Sequence, residues 1–204
     1  MIGVFDSGVG GLTVLKAMRD VYPSIDVVYF GDTKNAPYGK KSGAELSALT
    51  VAGIRFLLDH GATTLVSACN SVSASLAVSL YDVLSIKSTQ LIEMVGPTVS
   101  AFKGSSERVA LCATTATIES GMYQNAFLGC THYPLVMESF RHAVGTAVSI
   151  FDPAEAVAER VQNDLWPREM GYGTTRFFIS KESAQFRALA EKLFAGQEFT
   201  VEVV

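Results

Sequence analysis

The sequence predicts an α/β fold: a mainly parallel sheet with helices on both faces. Three observations predict it. Apolar runs of strand length alternate along the chain with longer segments of helical periodicity, the signature of repeated βα units. The alternation continues to the last residues, with no linker, repeat or low-complexity segment. The composition is 49% hydrophobic and 18% charged over 204 residues. That is too apolar for a disordered chain and long enough to bury a core of one or two small domains.

The elements follow in order. Residues 2–5 (Ile-Gly-Val-Phe) read as a short buried strand. Residues 11–20 place apolar side chains at 12, 14, 15 and 18, near helical spacing. Residues 25–30 form a second strand, ended by Gly31-Asp32, and residues 43–60 a long helix. A third strand covers 63–68 and a helix 71–84. Another strand spans 108–113, followed by a helix start over Thr114–Ser120. The tail repeats the pattern: helix 153–165, strand 174–179, helix 181–194, strand 198–203. The one candidate boundary is Gly96-Pro97, where proline after glycine interrupts the pattern.

One junction departs from this regularity. A parallel crossover needs a dozen or more residues plus a turn. After the helix start near Thr117, Gly121 to Phe127 runs straight into Leu128-Gly129-Cys130, so the next strand has only Ala126 to Leu128. The second half is therefore either unusually compact or short of a segment near residues 124–128.

Composition also excludes function classes. There are 16 Lys and Arg against 20 Asp and Glu, a net charge of −4 with no basic run, so no nucleic-acid or anionic-membrane partner is expected. No stretch reaches the ~18 consecutive apolar residues of a spanning helix, and the N-terminus lacks the pattern of a signal peptide. With three cysteines, these features predict a cytoplasmic protein with free thiols.

Four constellations carry candidate chemistry. Asp6-Ser7-Gly8-Val9-Gly10-Gly11 lies at a strand end before a helix, where glycines allow a tight turn and free N–H groups face an anion. It lacks dinucleotide spacing and a phosphate-loop lysine, which favours a small carboxylate. A plain helix cap by Asp6 is the competing reading. Cys69-Asn70-Ser71 also follows a strand. A cysteine there can become a thiolate or simply be a buried small side chain. Gly129-Cys130-Thr131-His132-Tyr133-Pro134 is dense in reactive groups; His132 could support proton transfer at Cys130. Only two local ligands argue against a metal, and a Cys-His hydrolase is the other rival. Gly31-Asp32-Thr33 with Pro37-Tyr38-Gly39 is a turn-rich loop suited to substrate contact. Cys112 reads as core, His60 as a helix C-cap and His142 as a helix-surface residue.

Two cysteines at two strand ends suggest inversion of a carbon centre. A thiol and a thiolate on opposite faces can each act as base in one direction and acid in the other. A free thiol with pKa near ~8.5 needs only modest tuning for this.

On these residues the chain resembles the glutamate racemases, within the cofactor-independent aspartate/glutamate racemase superfamily. The resemblance covers nearly the whole length. It rests on Ile2 to Thr13, Tyr29-Phe-Gly-Asp-Thr33 with Pro37-Tyr-Gly39, Ala68-Cys-Asn70, Ala113 to Thr117 with Ser120-Gly121, and Leu128 to Leu135. It implies two pseudo-symmetric α/β lobes with the site between them: residues 1–95 plus 151–204 as the first lobe, and 96–150 as a shortened second lobe. It implies interconversion of L- and D-glutamate for peptidoglycan, hence for cell-wall biogenesis and cell shape, without pyridoxal phosphate or another cofactor. By the same resemblance Cys69 and Cys130 are the two acid/bases, assisted by Asp6 and His132. Ser7, Tyr38, Gly39, Asn70, Ser71 and Thr131 would hold the substrate, with Thr114 and Thr117 as further candidates. A homodimer is compatible with the apolar composition.

Departures from the family pattern are specific. Ser71 stands where threonine is usual, and Lys34-Asn35-Ala36 lacks the usual arginine. Family members carry a longer segment before the Gly-Cys-Thr-His motif, including a glutamate that has no counterpart here. That shortfall keeps open a catalytically impaired relative acting as a binding or regulatory protein. An aspartate racemase is the sibling reading.

Overall fold

The structure, a computed structural model, describes the chain except residues 75, 77–78, 106–109, 121–126, 130–131 and 146–147. β1 (Ile2–Asp6), β2 (Val27–Gly31), β3 (Thr64–Ser67), β4 (Leu91–Ile92), β7 (Thr175–Ile179) and β8 (Phe199–Val203) form a six-stranded sheet in the order β4-β3-β1-β2-β7-β8. Every pairing in it is parallel. β5 (Leu111–Ala113) and β6 (Phe127–Gly129) pair separately, also in parallel.

Side-chain alternation along the strands explains why the larger sheet needs helices on both faces. Ile2, Val4, Val27, Tyr29, Phe177 and Ile179 point into one cluster. There they meet α1 (Gly11–Val21), α8 (Pro153–Leu165) and α9 (Ala184–Leu193). Phe5, Val28, Phe30 and Phe178 point to the other face, against Leu46, Ile54 and Leu57 of α2 (Gly43–Asp59). α2 starts with a capping box, Ser42 accepting from the Glu45 N–H and Glu45 bonding back to Ser42. Asp152 caps α8 through the Ala154 N–H, with Pro153 at the first helical position.

Several expectations are corrected. The helix expected over 71–84 is α3 (Asn70–Ser73) and α4 (Ser79–Leu84). Two serines of α3 are committed to tertiary partners instead of a continued helix face: Ser73 bonds Ser67 and the Met94 N–H, and Ser71 bonds Thr114. The Gly96-Pro97 pair lies in the first turn of α5 (Val95–Ala101), where proline costs no hydrogen bond. The strand expected over 108–113 begins at Leu111 among the described residues. β5 and β6 are joined by a short crossover containing α6 (Thr115–Glu119), and then come a 3-10 turn, Tyr133–Val136, and α7 (Met137–Val144).

Cys112 is exposed, not core. The two-stranded sheet is too small to bury both faces, and nothing among the described residues covers Cys112. Apolar side chains nearby in sequence share this exposure: Ile118 is 55% and Val148 52% exposed. His60 does form the C-cap of α2, followed by Gly61 at φ +90°, and His142 lies on the exposed face of α7. No helix among the described residues is long and apolar enough to cross a membrane.

Candidate active site

The strand order places the site. β1 is flanked by β2 on one side and β3 on the other, so the chain reverses its winding direction next to β1. Loops leaving the carboxyl ends of strands at such a point diverge and leave a crevice. Ser7 leaves β1, Tyr38 to Lys40 follow β2, and Cys69 leaves β3. They border a cavity of about 420 Å³ closed on its far side by Ala113, Thr114 and Thr115 from the end of β5 and by His132.

Most of the residues expected at the site meet there. Ser7, Tyr38, Gly39, Cys69, Asn70, Ser71, Thr114 and His132 all line the cavity. Cys69 is 5% exposed, and its Sγ lies 3.6 Å from Ser7 Oγ. Ser71 Oγ bonds Thr114 Oγ1 at 2.8 Å, and Thr114 bonds Thr117 at 3.0 Å. This hydroxyl chain links α3 to the start of α6, which Thr114 caps. Thr117 is fully buried behind that wall. Cys130 and Thr131 lie outside the described residues.

Asp6 is fully buried beneath the cavity. It does not cap α1, whose N-cap is Gly10 without a side-chain bond. Instead its Oδ2 accepts the Gly8 N–H at 2.8 Å, and Oδ1 has no partner among the described residues. A buried carboxylate oxygen left open is costly unless something turns to it. Tyr29 stands beside it, with its hydroxyl on the Gly8 carbonyl at 2.9 Å. Burial first, then the neighbouring Asp6 and Cys69 and a hydrogen bond to Asp6, push the Tyr29 phenol well up. Asp6, Tyr29 and Cys69 are thus close together in one buried region beneath the cavity. Gly11 is required here, because a Cβ at that position would sit 2.5 Å from Asp6 Cβ.

Asp32 anchors the loop that carries Tyr38. Its carboxylate, 4% exposed, accepts from Tyr38 Oη at 2.6 Å, from Ser180 Oγ at 2.6 Å and from Asn35 Nδ2. Burial first, then this bond to Asp32, push the Tyr38 phenol up, so it stays a donor. On the other side Gly39 packs on Thr114, where an added Cβ would lie 2.7 Å from Thr114 Cβ. The Asp32 loop was legible as a turn, but not Asp32 as its anchor, since Ser180 is remote in sequence. Tyr29 and Lys40 were not singled out either. Lys40 lines the cavity, and its position directly after Pro37-Tyr38-Gly39 was the available signal. Among the described residues no three His, Cys, Asp or Glu side chains are placed to share a metal ion.

Comparison with known proteins connects this geometry to a reaction. No protein-family model matches the chain. It is 30% identical over 247 aligned residues to a glutamate racemase of Thermoanaerobacter pseudethanolicus, covering 94% of this chain and 92% of that protein. Identity is 33% over 242 residues to a glutamate racemase of Thermus thermophilus, covering 94% and 91%. Both spans exceed the 204 residues of the chain, so within them the relatives carry residues with no counterpart here. Among solved structures, glutamate racemase from Thermus thermophilus in complex with β-chloro-D-alanine superposes with a TM-score of 0.83 at 32% identity, over 100% of this chain and 96% of that one. The Bacillus anthracis isoform RacE1 gives 0.87 at 26%, over 100% and 97%. The Francisella tularensis enzyme in complex with D-glutamate gives 0.83 at 25%, over 100% and 96%. With an α/β sheet whose switch point opens into a thiol-bearing crevice, and relatives of this identity over this much of both chains, the protein belongs to the glutamate racemases, which are cofactor-independent isomerases.

Proposed function

We propose that the chain interconverts L- and D-glutamate by two-base proton transfer, with Cys69 and Cys130 on opposite faces of the α carbon. The observation that carries this reading is the placement of Cys69, a buried thiol at the cavity wall with Ser7 beside it. In one direction a Cys69 thiolate takes the α proton, and the Cys130 thiol delivers its own proton to the opposite face. The reverse reaction exchanges the roles, and solvent re-equilibrates both thiols. Asp6, close to Cys69 through Tyr29, holds the proton inventory on that side, and His132 does so for Cys130. Ser7, Tyr38, Gly39, Asn70, Ser71, Thr114 and Thr131 offer hydroxyl, amide and backbone groups to the substrate's carboxylates and ammonium, with Thr117 supporting Thr114.

The same reading divides the chain into residues 1–95 with 151–204 and residues 96–150 as two lobes. The six-stranded sheet takes its strands from the first set, and the β5–β6 pair from the second. D-glutamate made in the cytoplasm for peptidoglycan is the physiological role this activity implies, and a homodimer is its expected assembly.

The test is incorporation of deuterium at the α carbon from D₂O, starting from each enantiomer separately. The parent protein should exchange and invert both. Loss of a positioned acid/base typically costs about 10²–10⁴-fold, so Cys69→Ser and Cys130→Ser should each lower inversion by that order. Full activity in either variant would sink the two-thiol mechanism. A second reading, a binding protein that keeps the pocket without turnover, is favoured by the residues that the relatives have and this chain lacks. It predicts glutamate binding by the parent with no inversion.

A further inference from the structure

The cavity has one permanently charged wall residue among those described. Ser7, Asn70, Ser71, Thr114 and Thr115 carry no charge. Lys40 alone brings a fixed positive charge. Its ammonium has no ion-pair or hydrogen-bond partner among the described residues, unlike the lysine at 16, which is paired with Asp20. The neighbouring Lys41 is not part of the cavity lining; its Nζ lies 5.9 Å from the centre of the Tyr38 ring.

The backbone beneath Lys40 is fixed. It ends the 3-10 turn Tyr38–Lys40, held on one side by Tyr38 on Asp32 and on the other by Gly39 against Thr114. A flexible side chain on a rigid base can reach a ligand carboxylate without moving the loop. The depth order matters. Cys69 is buried, whereas Lys40 is exposed at the rim. An amino acid whose α carbon rests against Cys69 extends its side chain away from that wall. Lys40 offers its charge to whatever part of a ligand points from Cys69 toward the rim.

We propose that Lys40 binds the side-chain carboxylate of the substrate and thereby sets the preference for an acidic amino acid. This rests on the racemase reading only in taking glutamate as the ligand. The chain's net charge of −4 opposes an anionic substrate, and a local cation at the entrance offsets that field.

The experiment measures binding of D-glutamate and D-glutamine to the full chain by calorimetry, and KM and kcat for glutamate where turnover is present. Lys40→Ala should weaken D-glutamate binding and raise KM about five- to tenfold with kcat little changed, as for a partly exposed ion pair. The difference from the parent should shrink as salt rises. Lys40→Arg should restore binding, and Lys34→Ala, exposed on the same loop, should leave it intact. D-glutamine affinity should not respond to Lys40→Ala. Unchanged D-glutamate binding in Lys40→Ala overturns the proposal, as does an equal loss for both ligands. A parent that binds D-glutamate in a Lys40-dependent way but never inverts it removes the racemase reading and keeps this one. A parent that inverts glutamate with a KM indifferent to Lys40 does the reverse.

Discussion

Replacing Asp32 tests whether one buried carboxylate holds the wall of the active site. Asp32→Ala strands three donors: the Tyr38 hydroxyl, the Ser180 hydroxyl and the Asn35 amide. Tyr38 is 2% exposed, so its hydroxyl cannot turn to water, and a stranded buried donor costs about 1–3 kcal/mol. Ser180 and Asn35 are partly exposed and lose only the net value of an ordinary bond, about 0.5–1.5 kcal/mol each. The expected total is about 2–6 kcal/mol. Tyr38→Phe removes one donor and leaves Asp32 with two, for about 1.5 kcal/mol. Because the two residues share a bond, the double variant should show a coupling of about 1.5 kcal/mol or more. Urea unfolding followed by fluorescence of the single tryptophan measures all four corners; Trp166 packs edge-on against Tyr22 at 5.2 Å and reports on the fold. The same variants should lose turnover beyond their loss of stability, since a shift of about 1 Å in a substrate-holding group can cost ~100-fold. Additive effects within about 0.5 kcal/mol, with unchanged kcat and KM, would refute the anchoring argument.

Two further outcomes follow from the core and the surface. Phe177 is fully buried, with the rings of Tyr29, Phe186, Phe194 and Phe199 centred 5.4–5.6 Å away. Phe177→Ala should cost about 3–5 kcal/mol and lower Tm by on the order of 10 °C; a calorimetric loss well below that would mean the cluster repacks. Asp26 is pulled up by burial but held lower on balance by the Thr174 side chain and N–H, the Tyr172 N–H and Arg19. Its stabilising contribution is therefore present above the unfolded value of about 3.9 and is lost as pH falls through the lower folded value. Asp26→Asn should be less stable than the parent at neutral pH, and the gap should close in acid below about pH 4. A gap independent of pH would remove the ionic part of the explanation.

The motifs leaving β1 and β3 were readable because strand parity and glycine placement are local. Asp6 ends one short buried strand and Cys69 follows another; that these two strands pair side by side is a fact of the sheet. Other elements were not readable. β4 has two residues, too few for a periodic signal, and the Gly96-Pro97 pair hid α5. Cys112 sits in an apolar run, yet the run belongs to a pair of strands too small to cover it.

The sequence by itself determined the βα alternation and the helices on both faces of the sheet. Each depends on residues within a few positions of one another, through backbone hydrogen bonding and the periods of helix and strand. Only the tertiary structure decided which of two adjacent lysines lines the cavity and which lies over Tyr38. It also decided that Asp32 joins Tyr38 to a serine 148 positions away, and that Asp6 lies buried beside Tyr29 and Cys69. Those choices depend on strand order and on which groups burial deprives of water, and no local pattern in the chain encodes either.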